Sequence, residues 1–355
     1  MNQKSSVLKT AAIDVGHWYT KYTTGWINSG ANKGLTIHAE LFPSITSGPP
    51  PIIKIAGSPA LDGVNITLVG KGTYFVGKDA EKQLGSAGFL RMPSSEYSAT
   101  ANYKALFLGA LWHIARHHRV TRSMVIETLV VGLPFTTLFT HAEPLEKMCT
   151  GTHVVPSPID QNTTITIDVK RVLVLGQPQG CILNMKEVID AQCPNHDDNV
   201  LIVDMGGGTL DWYVSNAGLQ PDFKKSGAAH IGTLSCAASI VEQIDDGHKA
   251  NPQIMNRVDF ALRTGNPTFM IGRQTLEINK YWPQAYRLLT GALEQMRATT
   301  GKLTNYMSIV LTGGGANVLA RSIKEFAPEV SDRIIMDPDT VFSNVKGFHQ
   351  FGENF

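Results

Sequence analysis

The chain has 355 residues, 43% hydrophobic and 17% charged, with a formal net charge of +1. That length and balance describe a globular protein with a sizeable core and room for two domains. The near-zero charge removes any general electrostatic pull toward nucleic acid or an anionic membrane, so direct contact with either is not expected. Cys149, Cys181, Cys193 and Cys236 show no CxxC spacing and read as small reduced hydrophobes. Lys4 and Lys9 precede an apolar stretch that Asp14 breaks, too short for a signal peptide. The run "ALFLGALW" from Ala105 is far short of a membrane span, and a cytoplasmic location is expected.

In chain order, residues 11 to 27 read as a hairpin, "AAIDV", a polar break, then "KYTTGWI". The span from Leu35 to about Gly77 is rich in Gly, Pro and β-formers, including "SGPPPIIKIAG" and "NITLVGKGTYFVGKDA", and predicts short strands and loops in a small β-rich subdomain. "TANYKALFLGALWHIARHH" has helical periodicity. "ETLVVGLP" is a buried strand stopped by Pro134, and "TTITIDVKRVLVLGQP" is a further strand or pair. Leu201 to Val214 is strand, turn, strand. Ser235 to about Arg297 is mainly helical, interrupted by "RTGNPT". "MSIVLTGGGANVLARSIKEF" is strand, glycine turn, helix, and a short amphipathic segment closes the chain. Strands alternating with helices place the chain in the α/β class.

"AAIDVGHWYTKYTTGW" and "LIVDMGGGTLDWYV" share a plan: apolar strand, Asp-x-Gly, tight turn, β-rich strand. They lie about 190 residues apart, which predicts two related halves facing each other across a cleft. Gly-rich turns expose backbone amides that bind anions, typically phosphate oxygens. A carboxylate beside phosphate is favourable when a divalent cation sits between, and Mg²⁺ keeps several of its waters. Asp14 and Asp204 are therefore the expected Mg²⁺-placing residues, mostly through water, and Lys21 is a point charge for a phosphate. A lone Asp-x-Gly hairpin is usually only a turn, but three glycines between Asp204 and Asp211 exceed what a two-residue turn needs. Neither GxxxxGK(S/T) nor GxGxxG occurs at these places. His113 and His117 have metal-compatible i, i+4 spacing but no third ligand is evident, and a solvated or interface helix face is the expected role.

These motifs resemble the ATPase core shared by actin, Hsp70 chaperones and sugar kinases. "IDVGHWYTK" resembles its first phosphate motif, "VDMGGGTLD" the second and "VLTGGGANVL" the adenosine motif. "VVGLPFTTL", "VLVLGQPQGCILNM", "HIGTLSCAASIV" and "FSNVKGFHQFGENF" resemble bacterial plasmid-segregation actins of the ParM/StbA type.

The resemblance implies a two-lobed α/β fold with duplicated halves. Lobe I would be residues 1–180 plus 336–355, with a small β-rich subdomain at 29–98. Lobe II would be 181–335, with a small subdomain at about 215–290. It implies ATP, or GTP, with Mg²⁺ between the lobes. Residues carried onto that site are Gly16, His17, Trp18, Tyr19, Thr20 and Lys21 from the first hairpin, and Gly206, Gly207, Gly208, Thr209 and Asp211 from the second. Gly232, Thr233, Gly313, Gly314, Gly315 and Asn317 join them, with Asp259 and Arg263 on a nearby helix.

Gln177 matches the position that orients the attacking water, with Asp14 and Asp204 completing the catalytic set and Gln179 as competitor. His17, Trp18 and Tyr19 depart from the small polar tip of many relatives. The implied function is a slow ATPase whose head-to-tail filaments segregate plasmid DNA through a DNA-bound adaptor protein at a plasmid centromere. The alternatives are a non-polymerising actin-fold scaffold or chaperone-like protein, and a small-molecule (sugar) kinase. A chaperone would need a C-terminal peptide-binding domain, which is not expected within this length, and no clear mark of a sugar pocket shows.

Overall fold

The computed structural model describes residues 5–28, 34–50, 60–83, 96–245, 247 and 251–355. Strand β1 (Ser5–Val15) turns back into β2 (Tyr19–Asn28), with Asp14 opposite Lys21 in the antiparallel register. The edge strand β3 (Leu35–Pro43) pairs with β2. On its other side β1 runs parallel to β6 (Ser123–Leu133), which ends where Pro134 lacks a ladder donor. β6 runs parallel to β8 (Thr164–Gly176), one continuous strand, and β7 (Gly151–Pro156) closes the sheet antiparallel to β8. The order is β3-β2-β1-β6-β8-β7.

The second sheet repeats this plan. β9 (Asn199–Met205) turns into β10 (Leu210–Asn216), with Asp204 opposite Asp211, and β11 (Gly227–Ala229) pairs with β10. β14 (Ser308–Thr312) lies parallel to β9, and β15 (Ile334–Met336) parallel to β14. The order β11-β10-β9-β14-β15 matches the first five strands of the other sheet, so the duplication expected from the two hairpins extends through both sheets.

Within the 29–98 span, β3 belongs to the main sheet. β4 (Val64–Leu68) and β5 (Gly72–Val76) form a two-stranded sheet of their own. Residues 51–59, which hold most of "SGPPPIIKIAG", and 84–95 lie outside the described residues. The helical span after Ser235 holds α5 (Thr233–Ile244), α6 (Pro252–Thr264) and α7 (Ile278–Thr300). The break at "RTGNPT" is richer than a loop: Gly265 ends α6 in the left-handed conformation, and β12 (Thr268–Ile271) and β13 (Gln274–Glu277) follow as a hairpin.

Strand alternation aims the site residues. Ala11, Ile13 and Val15 of β1 pack toward α1 (Ala101–His117), whose face from Tyr103 to Ala115 is almost wholly buried. Ala12 packs on the other face with Val345 and Phe348 of α9 (Ser343–Gly352), so Asp14 shares that face. On β9, Leu201, Val203 and Met205 enter the large core formed with α5, α6, α7 and α8 (Ala316–Phe326). Val200 and Ile202 face Cys181 and Ile182 of α3 (Gln177–Asn184), and Asp204 follows their parity. α2 (Phe135–Cys149) carries three threonines in its first turns and an internal Pro144, poor helix formers, so its packing through Phe135, Leu145 and Cys149 holds it. A short α4 (Lys186–Gln192) follows α3. All four cysteines are buried and form no disulfide. Among the described residues no helix is long and apolar enough to cross a membrane.

The terminal helix is not a surface tail. Seven of its residues are buried, and it crosses α3 at glycines: a Cβ on Gly347 would sit 1.8 Å from the Gly180 carbonyl oxygen, and one on Gly180 2.3 Å from that of Asn344. Gly347→Ala should therefore lower stability by about 1–3 kcal/mol through overpacking. Urea unfolding of the variant beside the parent checks this, and an unshifted midpoint would refute the close crossing.

Candidate functional site

The tips of the two main hairpins face each other across one cavity. They are the same length and close alike: the Gly16 amide donates to the Tyr19 carbonyl at 3.2 Å, and the Gly206 amide to the Thr209 carbonyl at 2.9 Å. Asp14 and Asp204 hold equivalent positions, and so do Lys21 and Asp211. The cavity is lined by Asp14, Gly16, His17, Trp18, Tyr19 and Lys21 from one hairpin and by Asp204, Gly206, Gly207, Gly208, Thr209 and Asp211 from the other. Gln177, Thr233, Gly313 and Gly314 also line it, with Arg263, Val341 and Asn344.

Four expected residues stand behind this lining instead. Thr20 is fully buried, its hydroxyl bonded to that of Ser44 at 2.9 Å. Gly232 packs on the second hairpin, where a Cβ would lie 2.3 Å from the Gly207 carbonyl oxygen. A Cβ on Gly315 would strike Met205 and Thr233, and Asn317 donates to the Arg263 carbonyl at 2.6 Å. Neither Val341 nor Asn344 was singled out in the sequence, although Asn344 lies within the family-resembling stretch "FSNVKGF".

The charged groups are tied into two clusters. Lys21 Nζ pairs with Asp14 Oδ2 at 2.9 Å, and Gln177 Nε2 donates to Asp14 Oδ1 at 2.7 Å. Asn344 Nδ2 donates to Asp204 Oδ2 at 2.6 Å. Burial alone would lower the Lys21 pKa, but attraction to Asp14 and Asp204 outweighs it and holds the ammonium charged. Burial raises the pKa of Asp204 against the pull of Lys21 and the Asn344 hydrogen bond. Burial and then the charge of Asp204 push Asp211 up to about 7. A site with three carboxylates and one ammonium is short of positive charge, which suits a divalent cation. Two polar atoms at the cavity, Asn344 Oδ1 and Thr233 Oγ1, are buried without a partner, as expected for groups awaiting a ligand or its water. The residues present thus fit Mg²⁺ with a phosphate group.

Gln177 begins α3 and turns its amide into the cavity. Gln179 does not: its Oε1 accepts from the Gly176 amide at 2.7 Å and caps that helix. The aromatic tip of the first hairpin is engaged elsewhere. His17 stacks on Tyr97 with centroids 4.7 Å apart, and a Cβ on Gly207 would come within 3.2 Å of Trp18 Cβ. None of the second hairpin's glycines has a positive φ; Gly207 serves this close approach, whereas a Cβ on Gly206 would meet nothing nearer than 3.7 Å. Arg263 lies over the Tyr19 ring at 5.6 Å and is held by Asp259 at 2.7 Å. The expected pair His113 and His117 is split: His113 is core, stacked between Tyr22 and Phe42, whereas His117 is exposed.

The glycines of the third motif differ in conformation and surroundings. The left-handed residue is Gly313, with φ +81° and an added Cβ 2.1 Å from Asp204 Oδ1, whereas Gly314 meets only the flexible Arg263 side chain at 3.3 Å. Gly313→Ala should cost about 1–3 kcal/mol, and Gly314→Ala should stay within about 0.5 kcal/mol. Thermal unfolding of both variants checks the order, and equal shifts would refute it. A second outcome follows from Asp211, whose ordinary pKa is 3.8. Between about pH 4 and 7 the native state keeps a proton that the unfolded chain has released, so this group makes stability fall as pH rises. Asp211→Asn should therefore be more stable than the parent at pH 8, with the advantage fading toward pH 4 in unfolding measured across that range.

Two family models match the chain: "Actin like proteins N terminal domain" over residues 12–180, and "Archaeal actin homologue MreB-like, C-terminal" over residues 202–325. No curated protein matches it. Among solved structures, a 15-stranded ParM filament from Clostridium botulinum superposes with a TM-score of 0.74 at 18% identity, covering 100% of both chains. An archaeal actin homologue in complex with ADP gives 0.69 at 19% identity, over 98% of this chain and 100% of the other. Apo pSK41 ParM gives 0.66 at 17%, over 98% and 97%. At these identities the likeness to the solved structures establishes the fold. The two family models, in order and without overlap, take in most of the sequence: the chain belongs to the actin-like proteins.

Proposed function

We propose that the chain binds ATP, or GTP, with Mg²⁺ between its two sheets, hydrolyses it slowly, and assembles head to tail into filaments that segregate plasmid DNA in the cytoplasm. The observation that carries the reading is the meeting of Asp14, Asp204, Lys21 and the glycines of both hairpin tips in one cavity. The backbone amides of the tips and Lys21 would hold the phosphates, and Asp14 and Asp204 would hold the cation, mostly through water. Mg²⁺ would supply charge neutralisation on the phosphate oxygens. Gln177, its amide nitrogen on Asp14, keeps its carbonyl oxygen to orient water. Gly313, backed against Asp204, lets the backbone approach the nucleoside, and Arg263 with Tyr19 forms the outer wall.

The domain reading follows the same lines. Lobe I, 1–180 with 336–355, and lobe II, 181–335, would be joined by α3 and α9, with small subdomains at 29–98 and about 215–290. Assembly is supported by the filament reported for one protein of the same fold, and nucleotide binding by the ADP complex of another. Head-to-tail contacts that do not close into a ring give filaments. The partner of such a filament would be a DNA-bound adaptor protein at a plasmid centromere, contacting the polymer end.

Light scattering and phosphate release with ATP-Mg²⁺ test the proposal together. The parent should scatter on ATP addition and then release phosphate. Gln177→Ala should release phosphate at least about 10-fold more slowly, below the ~10²-fold low end for a positioned proton-transfer group because a neutral amide is a weak base, and its filaments should persist. Asp204→Ala should lose both signals. A parent that neither binds nor hydrolyses ATP or GTP would sink the reading, and unchanged release by Gln177→Ala would move the water-orienting role elsewhere.

A further inference from the structure

A cluster outside the nucleotide cavity joins β3 to the end of α1. His38 and Glu40 are two apart on β3 and therefore share a face, and His117 is the last residue of α1. One ligand-capable atom from each lies within 4.8 Å of the other two, the only such group of three among the described residues. The His38 and His117 rings are 4.9 Å apart. Sequence spacing pointed to His113 as the partner of His117, but His113 is locked between two aromatic rings; the true neighbours come from a strand some eighty positions earlier.

The surroundings are arranged as a ligand set requires. β2 has a register shift between Thr23 and Gly25, a bulge that re-aims Thr24. The Thr24 hydroxyl bonds His38 Nδ1 at 2.7 Å, which fixes that ring and leaves Nε2 turned toward Glu40 Oε1 at 3.9 Å. The Thr24 carbonyl accepts from His118 Nε2 at 2.8 Å and pins the end of α1. The Tyr22 hydroxyl donates to Glu40 Oε2 at 2.9 Å, holding the carboxylate. Ligating histidines and carboxylates are oriented by such outer hydrogen bonds. Lys78 Nζ, 3.8 Å from Glu40 Oε2, is half-exposed and free to swing into solvent. The C-terminal end of α1 also favours a cation.

We propose that His38, Glu40 and His117 bind one first-row divalent cation of the Zn²⁺ class, clamping the edge strand β3 to α1. Two imidazoles and a carboxylate match Zn²⁺ rather than Mg²⁺ or Ca²⁺, which take oxygen ligands. The half-buried setting leaves the remaining coordination positions to water.

The test uses the full chain, stripped by chelator and kept in excess Mg²⁺ so that the nucleotide cavity does not compete. Zn²⁺ is titrated against a chromophoric chelator, and folding of each variant is followed by circular dichroism. The parent should take up one equivalent and unfold at a higher temperature with Zn²⁺. His38→Ala, Glu40→Gln and His117→Ala should each lose that equivalent, and His196→Ala, at an exposed position, should keep it. Thr24→Val should bind about 10–100-fold more weakly, the range for an outer-shell partner. Co²⁺ should give visible ligand-field bands in the parent and none in His117→Ala. Because His117 is exposed, that variant should fold even if His38→Ala does not. No uptake by the parent, or equal affinity in folded His117→Ala, would overturn the site.

Discussion

Excess negative charge buried between two sheets is the constraint on which the rest of the molecule turns. Asp14, Asp204 and Asp211 are all buried, and Lys21 is the ammonium paired among them. In a low-dielectric interior such carboxylates are costly unless paired or hydrogen-bonded. The duplication explains the imbalance. Equivalent register positions carry Lys21 in one hairpin and Asp211 in the other, so the first half balances its own Asp14 while the second half doubles its charge. Lys21 feels Asp204 as well as Asp14, so the same ammonium attracts the two sheets to each other. Burial raises the pKa values of Asp204 and Asp211, and the neighbouring carboxylates add to it.

The two helices that cross between the sheets bring the polar groups that relieve it. α3 sends Gln177 to Asp14 on the first sheet, and its far end donates from Asn184 to Asp337 at 3.1 Å. α9 rests on the first sheet, with His349 bonded to Thr23 at 2.8 Å, yet sends Asn344 to Asp204 on the second. Their crossing needs Gly180 and Gly347, because any side chain there meets backbone. Steric closeness at the crossing and hydrogen bonding at the carboxylates are therefore one arrangement: widening the first displaces Asn344 from the second.

Both hairpins and the third glycine motif were legible in the sequence, because strand alternation and Asp-x-Gly spacing are local signals that fix which side chain faces the turn. The parallel duplication of the sheets followed from them. What was not legible depends on contacts between distant segments. Asn344 reaches Asp204 across 140 positions, and no spacing rule connects them. The choice of Gly313 over Gly314 rests on the backbone lying against Asp204, and the split between Gln177 and Gln179 on which amide the α3 cap consumes. His113 and His117 misled for a similar reason: i, i+4 spacing puts both on one helix face, but Tyr22 and Phe42 enclose His113 in the core, whereas His117 at the helix end meets His38 and stays exposed.

The aromatic tip of the first hairpin has its physical sense in this frame. His17 is stacked on Tyr97, Trp18 lies against Gly207, and Tyr19 lies under Arg263. Trp18 and Tyr19 thus reach across to the second half at the outer mouth of the cavity, where Asn256 of α6 also reaches Glu81, whereas His17 packs on its own half. Gly207 is then required by Trp18 as much as by any ligand, since a Cβ would meet the indole stem. Contacts at this outer edge are aromatic faces and single hydrogen bonds, while the inner edge is the interlocked crossing of α3 and α9. Side-chain contacts of the outer kind break individually at about 1 kcal/mol each; the inner crossing yields only with its backbone.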